Sequence, residues 1–560
     1  MTSGTDSPRK RHGGRIAATL ALTLSTFACA SITPGSARGA TVSEALRARL
    51  AESAAVEVPV VVTLEAQVDE TDYAGRPAAL VRALRAAASR SQPEVVAELD
   101  GPSRRFWLVN ALATSATADE VRALENDPAV AAVDLDPQVT VTSVASSPSP
   151  AGGSWGIGAI HAPEVWSRYG LTGAGVRVGS IDTGVDPSNP ELAGAIAGWR
   201  DFVNAQPAPY DDNGHGTHTV GTMVARNVAG APIGVAPGAQ AIVAKAIRAD
   251  GTAQGSDLLA AAQWMTDPDG NPATADFPTV INNSWTAPGA DNEWFRPMVQ
   301  AWVAMGIAPV FGAGNTAGSI GNPASYPEAI AVGALEESGQ ITANSSSALV
   351  SWTIGGTPTT LTKPDITAPG VFITSTLGSG YGVYSGSSMA APHVAGTIAL
   401  LRQARPDLSL DAVREILRAS AVDRGAPGPD LAYGAGALDA AAAVAAAGAA
   451  QTGPAPVPAI APPHAAKTRV RVLRVVRRGR TLLVQGRVTG PARLRAYVRR
   501  GGAAQQSLSP TTRSVRVRPG RFVLKVPTRG LHRGRYVLIV TASGASGERL
   551  GAASRALRLR

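Results

Sequence analysis

The 560-residue chain has a single cysteine, Cys29, and it falls inside an apolar run near the amino terminus. No intrachain disulfide can form. Once that run is removed, thiol nucleophiles and cysteine-based zinc sites are excluded as well, so stability must come from burial or from hard cations bound through oxygen. Lysine is also scarce, with 5 of the 51 basic residues. Together with abundant Ala, Gly and Arg this reads as a GC-rich coding bias rather than as a function. Beyond the amino terminus no stretch approaches the ~18 consecutive apolar residues of a membrane span, apart from an Ala-rich segment near 440–450 that reads as a helix end. What the amino terminus does have is a basic stretch (Arg9, Lys10, Arg11, Arg15) followed by an apolar run from Ile16 to Ala30. This is the layout of an export signal over 1–30 and predicts a secreted protein; Ala28-Cys29-Ala30 and Gly35-Ser36-Ala37 both offer small-residue cleavage sites.

The remainder divides by pattern. Residues 41–142 read as a small α+β unit: a β-branched run Val58–Leu64, helix formers Arg76–Leu99, a strand Arg104–Leu112, a helix Ala118–Asn126 and an alternating strand Ala131–Val141. Residues 143–153 (SVASSPSPAGG from 143) form a small polar linker, a natural place for proteolytic cutting. From 154 to 448 short β-branched strands alternate with Ala-rich helices, which predicts a doubly wound parallel sheet covered on both faces. Chemistry is then expected just after the carboxyl ends of the strands. A Pro-rich spacer, 449–466, leads to residues 467–560, which hold 22 Arg and 2 Lys against one acid, Glu548. That part carries a formal +23 and the rest −14, a split hidden by the overall +9. Its Arg residues alternate with Val and Leu at strand period, which predicts a small β-sandwich with an Arg-studded face. Such charge suits anionic cell-envelope polymers; no nucleic-acid reading motif or aromatic stacking set accompanies it. Nothing in the pattern calls for more than a monomer.

Three segments place reactive side chains among glycines: Val178–Gly184 with Asp182, Asp211–His218 with His215, and Gly386–His393 with Ser388. Singly each is weak, since a Gly-flanked Asp is usually a turn, a lone His structural and a Ser at a helix start a cap. Together they supply a nucleophile, a base and a group to orient the base, in the order Asp, His 33 residues on, and Ser 173 residues further.

The segments IDTGVD (181–186), NGHGTHTVGTM (213–223) and GSSMAAPHVAG (386–396) resemble the three catalytic signatures of the subtilisin-like serine proteases, and the resemblance covers roughly Trp155 to Ala447. It implies that Asp182 orients the imidazole, His215 acts as general base and then acid, and Ser388 attacks the scissile carbonyl. Asn315, ending the segment Pro309–Asn315, matches the side-chain donor of the oxyanion hole, the Ser388 N–H being the second. Ser284, Trp285 and Thr286 match the strand that pairs with substrate backbone, and Gly312, Ala313 and Gly314 the facing wall. His218 and His393 match positions outside the triad, and Ser387 stands where Thr is usual. The insert Asp267–Pro272 before NNSW, with WGIGAIHAPEVW near the start, is similar to the bacillopeptidase F branch. Structural calcium is the one cofactor implied, in the acidic loop 267–272 or at Glu191 with Val228, where an Asn or Asp is expected. Residues 41–142 resemble the βαββαβ inhibitory propeptides of the family, with one strand fewer. The implied whole is a secreted serine endopeptidase acting on proteins or peptides and made as a self-processing precursor. The competing reading is an inactive protease-fold surface protein presenting the basic domain, against which every residue needed for acyl transfer is in place.

Overall fold

The computed structural model describes residues 39–52, 56–141, 144–148, 153–228, 230 and 232–448, and the strands between 470 and 559. The signal expected over 1–30 and the spacer over 449–466 lie outside the described residues. The chain forms two compact units, one running to Ile160 and resuming over Gly173–Ala447, the other made of His161–Thr172 and Gly448–Arg560. Among the described residues no helix is long and apolar enough to cross a membrane.

The first unit holds the doubly wound sheet expected from the strand–helix alternation. Its seven strands are β1 (Arg177–Asp182), β2 (Ile196–Asp201), β3 (Gln240–Lys245), β4 (Val280–Asn283), β5 (Ala308–Gly312), β6 (Ile330–Leu335) and β7 (Ile366–Pro369). They lie in the order β7-β6-β5-β4-β1-β3-β2, all parallel. Strands β4, β5, β6 and β7 are buried throughout, as a sheet covered on both faces requires. The chain leaves β1 for one edge and returns to its other side at β4. The strand order therefore reverses at β1, and the crevice of such a sheet opens at the carboxyl end of that strand, where Asp182 stands.

Four helices matter for the site: α1 (His215–Val224), α2 (Gly255–Thr266), α3 (Arg296–Ala304) and α4 (Ser387–Ala404). Helix α4 is buried from Ser387 to Arg402, and small residues (Ala390, Ala391, Ala395, Gly396) let neighbours approach it. Pro392 lies inside it and cannot donate to the carbonyl four residues back. That carbonyl belongs to Ser388, and the Ser284 hydroxyl donates to it at 2.8 Å, so the bond lost to proline ties helix α4 to the segment after β4.

Residues 41–135 form a five-stranded sheet, in the order Thr41–Val42, Val130–Leu135, Val58–Leu64, Ala111–Ala116, Arg104–Phe106. The single strand expected over Arg104–Leu112 is instead a hairpin, which supplies the sixth element of a βαββαβ order. It breaks because Asn110 takes a left-handed conformation (φ 41°), held by its amide donating to Ala66 O at 2.8 Å and accepting from Gln92 Nε2 at 3.1 Å. One face of this sheet packs on its own helix through Val60, Val62, Leu64 and Val95. Val61, Leu80, Leu84 and Phe106 instead share one apolar cluster with Leu258, Leu259 and Trp302 of α2 and α3.

The linker stretch forms a strand too. Val144–Pro148 pairs antiparallel with Gly380–Ser385, which pairs with Ile373–Leu377. Residues 142–143 and 149–152 lie outside the described residues. In the second unit, three-stranded and four-stranded antiparallel sheets bury alternate residues, such as Leu482 and Val484, Phe522, Leu524 and Val526, and Leu538 and Val540. The Arg-rich strand period thus has one apolar face per sheet.

Candidate active site

Asp182 is the last residue of β1 and His215 the first of α1, and their side chains meet with Nδ1 to Oδ1 at 2.7 Å, 0% and 1% exposed. Asp182 Oδ1 also accepts from Thr183 N (2.7 Å) and Oδ2 from Thr219 Oγ1 (3.1 Å), so the orientation of its carboxyl group is fixed from both sides. The approach of α1 to the strand end needs Gly216, where a Cβ would lie 2.2 Å from the Gly184 carbonyl. The loop before α1 is built on Asp211. Its carboxylate accepts from Thr183 Oγ1, Gly214 N, Asn213 N and both N and Oγ1 of Thr217. Burial pushes the Asp211 carboxyl up, but these donors outweigh it and hold it below the usual carboxylate range. Beside it Lys245, fully buried at the end of β3, donates to Thr183 O, Ile247 O and Asp212 Oδ1.

Ser388, 4% exposed, is the second residue of α4, where backbone N–H groups have no intrahelical partner. Its hydroxyl donates to Ser284 O at 3.1 Å, and His215 Nε2 is buried without a hydrogen-bond partner. Asn315 accepts from Ser387 N through Oδ1 at 2.9 Å, and the Ser387 hydroxyl accepts from Gly314 N at 3.0 Å. The serine at 387 thus makes its contact through the hydroxyl that a threonine would share. Ser284, Trp285, Thr286, Gly312, Gly314, Asn315, Ser387 and Ser388 line one small cleft with only about 10 Å³ of free room. Gly314 is at φ 112°, and a Cβ there would reach within 2.7 Å of Ser346 Oγ. Ala313 does not line the cleft; it is buried, with its N–H on Val332 O. A larger cavity, about 770 Å³, touches Val176, Thr279 and Gly306 at the opposite ends of the strands and holds none of these groups.

The cleft has an occupant from the chain itself. Gln138–Thr140 pairs antiparallel with Thr252–Gln254, Val141 N donates to Gly251 O at 2.8 Å, and Thr140 bridges Thr286 on the other side. Thr140 also lines the cleft beside Ser388. The wall Gly251–Gln254 escapes sequence reading, because three residues between a glycine and a helix carry no motif. Asp211 stands in a segment singled out for His215, yet its positioning role shows only in its bonds. Thr183, Thr219 and Lys245 are likewise visible only in three dimensions.

His218 and His393 do not join the pair. His218 bonds Ile373 O at 2.9 Å and stacks on Tyr384, and His393 bonds Met389 O at 2.9 Å. Burial pushes them down to about 3 and about 4. Each is neutral when folded and near 6.5 when unfolded, so the unfolded chain binds more protons below pH 6.5 and stability falls as pH drops. Two such groups remove about 4 kcal/mol between pH 8 and pH 5. Guanidinium unfolding of the Ser388→Ala protein at both pH values measures this, and an unchanged midpoint contradicts it.

The calcium positions differ in fit. At Glu191 the buried carboxylate accepts from Val228 N and from the Tyr381 hydroxyl, each at 2.9 Å, and residue 228 offers only an exposed valine side chain. Burial and then Glu191 push Tyr381 up to about 12. These positions do not assemble an oxygen cage. In the acidic loop, Asp267, Asp269 and Asp276 bring carboxylate oxygens within 4.8 Å of one another, which suits a hard cation.

A doubly wound parallel sheet with a buried Asp–His pair and a helix-start serine at its switch point defines an α/β serine hydrolase. Residues 173–436 match the model of the subtilase family. The chain is 36% identical over 425 residues to bacillopeptidase F of Bacillus subtilis, 67% of this chain but 29% of that protein. It is 34% identical over 366 residues to subtilisin E of the same species, covering 64% of this chain and 87% of the relative. An alkaline protease of Alkalihalobacillus alcalophilus is 36% identical over 340 residues, 60% of this chain and 80% of its own length. The chain belongs to the subtilase family and is a serine endopeptidase.

Proposed function

We propose that the protein is exported as a precursor in which residues 41–141 hold the site shut, and that Ser388 cuts the chain between Val141 and Val144. The observation that carries this is the run of the chain itself. It lies in the cleft as an antiparallel strand up to Val141 and resumes as a paired strand on Gly380–Ser385 from Val144. Three bonds separate the two pairings. In the mechanism His215 takes the Ser388 proton as Oγ attacks the carbonyl, and Asp182 keeps the imidazole in the right tautomer and stabilises its charged form. The Ser388 N–H and Asn315 Nδ2 receive the oxyanion. The imidazolium then protonates the leaving amine, and water hydrolyses the acyl enzyme by the same groups in reverse.

Protein substrates bind as the pro-segment does, through main-chain pairing with Gly251–Gln254 and Thr286, which gives affinity with little side-chain selectivity. Val139, fully buried in the cluster that holds Ala253, Leu258 and Trp285, marks a preference for an apolar residue upstream of the cut. Residues 41–141 also act as a folding template. Asp136 accepts from Ser256 N and Oγ, capping the start of α2, and Gln263 of that helix accepts from Trp107 N and Leu108 N. The +23 unit over 467–560 retains the enzyme on anionic envelope polymers by charge. Amino-terminal sequencing of the secreted wild type tests the proposal. A start at Thr142, Ser143 or Val144 is expected, while the Ser388→Ala chain keeps its pro-segment. A wild-type start beyond Pro148, or a processed mutant, contradicts self-cutting at this position.

A further inference from the structure

Asp267, Asp269 and Asp276 sit in the loop between α2 and β4; Arg177, the first residue of β1, acts on Asp276 by charge, and among the described residues the cation paired with Asp267 comes from the pro-segment. Arg85, on the helix Pro77–Ala97, places Nη2 2.6 Å from Asp267 Oδ2 and donates from Nη1 to the Gly270 carbonyl at 3.0 Å. Its guanidinium lies over the Trp107 ring, 4.8 Å from the centroid, which fixes the direction in which it points. The Asp267 side chain is only 1% exposed. Neither its Oδ1 nor Asp276 Oδ1 has a hydrogen-bond partner, although both atoms are buried. Asp269 Oδ1 accepts from Asn271 N and Oδ2 from Thr274 Oγ1, and Asp276 Oδ2 accepts from Asp269 N, so the loop's own bonds shape the cluster without neutralising it.

A buried carboxylate among two others is costly unless a positive charge meets it. While the pro-segment is docked, Arg85 is that charge. When the pro-segment leaves, the same position holds two oxygens of Asp267, Asp276 Oδ1, an oxygen of Asp269 and the Gly270 carbonyl. That is an all-oxygen set of the kind a calcium-sized ion takes, water completing the shell. We infer that Asp267, Asp269, Asp276 and the Gly270 carbonyl form a divalent-cation site that Arg85 fills in the precursor and calcium fills in the cut enzyme. Arginine and calcium exclude each other there, so calcium pulls the docked equilibrium toward release of the pro-segment and then fixes the end of α2. This rests on the reading of residues 41–141 as a removable pro-segment.

The test begins on uncut protein, so that it does not depend on processing. Equilibrium dialysis with radioactive calcium compares full-length Ser388→Ala with Ser388→Ala/Arg85→Gln, and with the latter carrying Asp269→Asn. Asp269 is exposed, so that last change spares the core. Removing Arg85 is expected to tighten calcium binding at one site per chain at least tenfold, and Asp269→Asn to abolish the gain. No gain on Arg85→Gln, or a gain that survives Asp269→Asn, overturns the inference. If Arg85→Gln unfolds the chain, the comparison passes to cut wild type, which is expected to bind one more calcium than uncut Ser388→Ala and to lose it on Asp269→Asn; equal binding overturns the inference. A wild type that is never cut defeats the pro-segment reading while leaving the dialysis of the uncut variants to decide the site.

Discussion

Replacing Ser388 by alanine is expected to lower kcat on a chromogenic peptide by about 10⁶-fold with KM changed less than threefold, a magnitude carried over from subtilisin itself. The reasoning is geometric. Among the described residues, Ser388 Oγ is the one side-chain hydroxyl that lines the cleft with Asn315 and stands in the first turn of helix α4, apart from Ser387, whose oxygen is engaged by Gly314 N. Alanine removes the attacking atom and leaves the cleft walls, the Ser284 bond to the residue 388 carbonyl and the oxyanion donors in place. The residual rate, of the order of 10³ over water, then reports the oxyanion site and substrate positioning alone. Kinetics on protein freed of wild-type traces check this, and a loss below about 10³-fold would mean that another group attacks.

Asp182→Asn is expected to cost about 10⁴-fold in kcat, again with KM nearly unchanged. The change is isosteric, so the packing at the end of β1 persists, but Thr183 N, which donates to the same Oδ1 that meets Nδ1, loses its acceptor when a carboxamide nitrogen takes that place. What is lost is the tautomer. The Asp182 carboxylate accepts a hydrogen bond from Nδ1–H and so leaves Nε2 unprotonated as the base; a carboxamide that turns its nitrogen toward Nδ1 forces the proton onto Nε2. Stability should fall by about 1–3 kcal/mol, the cost of one buried donor, Thr183 N, left without its acceptor. Pre-steady-state kinetics and unfolding of the same sample check both halves, and a rate loss matched by a large stability loss would point to collapse of the site instead.

The parallel sheet was legible because its strands are short β-branched runs bounded by glycine and its helices are Ala-rich, so period and length agree. The three reactive residues were legible because their close packing needs glycines next to them in the chain, as at Gly216, and those glycines write the site into the sequence. Ala313 shows the limit of that reasoning: it lies between two cleft glycines, yet its side chain turns into the core. The hairpin at Trp107–Asn110 was hidden because a left-handed Asn held by the distant residues Ala66 and Gln92 has no local signature. The strand over Val144–Pro148 was hidden for a related reason. Its Ser- and Pro-rich sequence has no strand propensity, and pairing with Gly380–Ser385 decides its form. Long-range partners also account for Lys245 and Arg85, whose roles depend on Thr183, Asp212 and Asp267 far away in sequence.

The central claim is that Ser388, activated by the His215–Asp182 pair, is the nucleophile. Mass spectrometry of peptides from cut enzyme treated with a fluorophosphonate tests it most directly. A single adduct on Ser388, blocked by a peptide substrate and reduced by Asp182→Asn, is the predicted result. An adduct on Ser387 or Ser284, or an active enzyme that takes up no label, would contradict it.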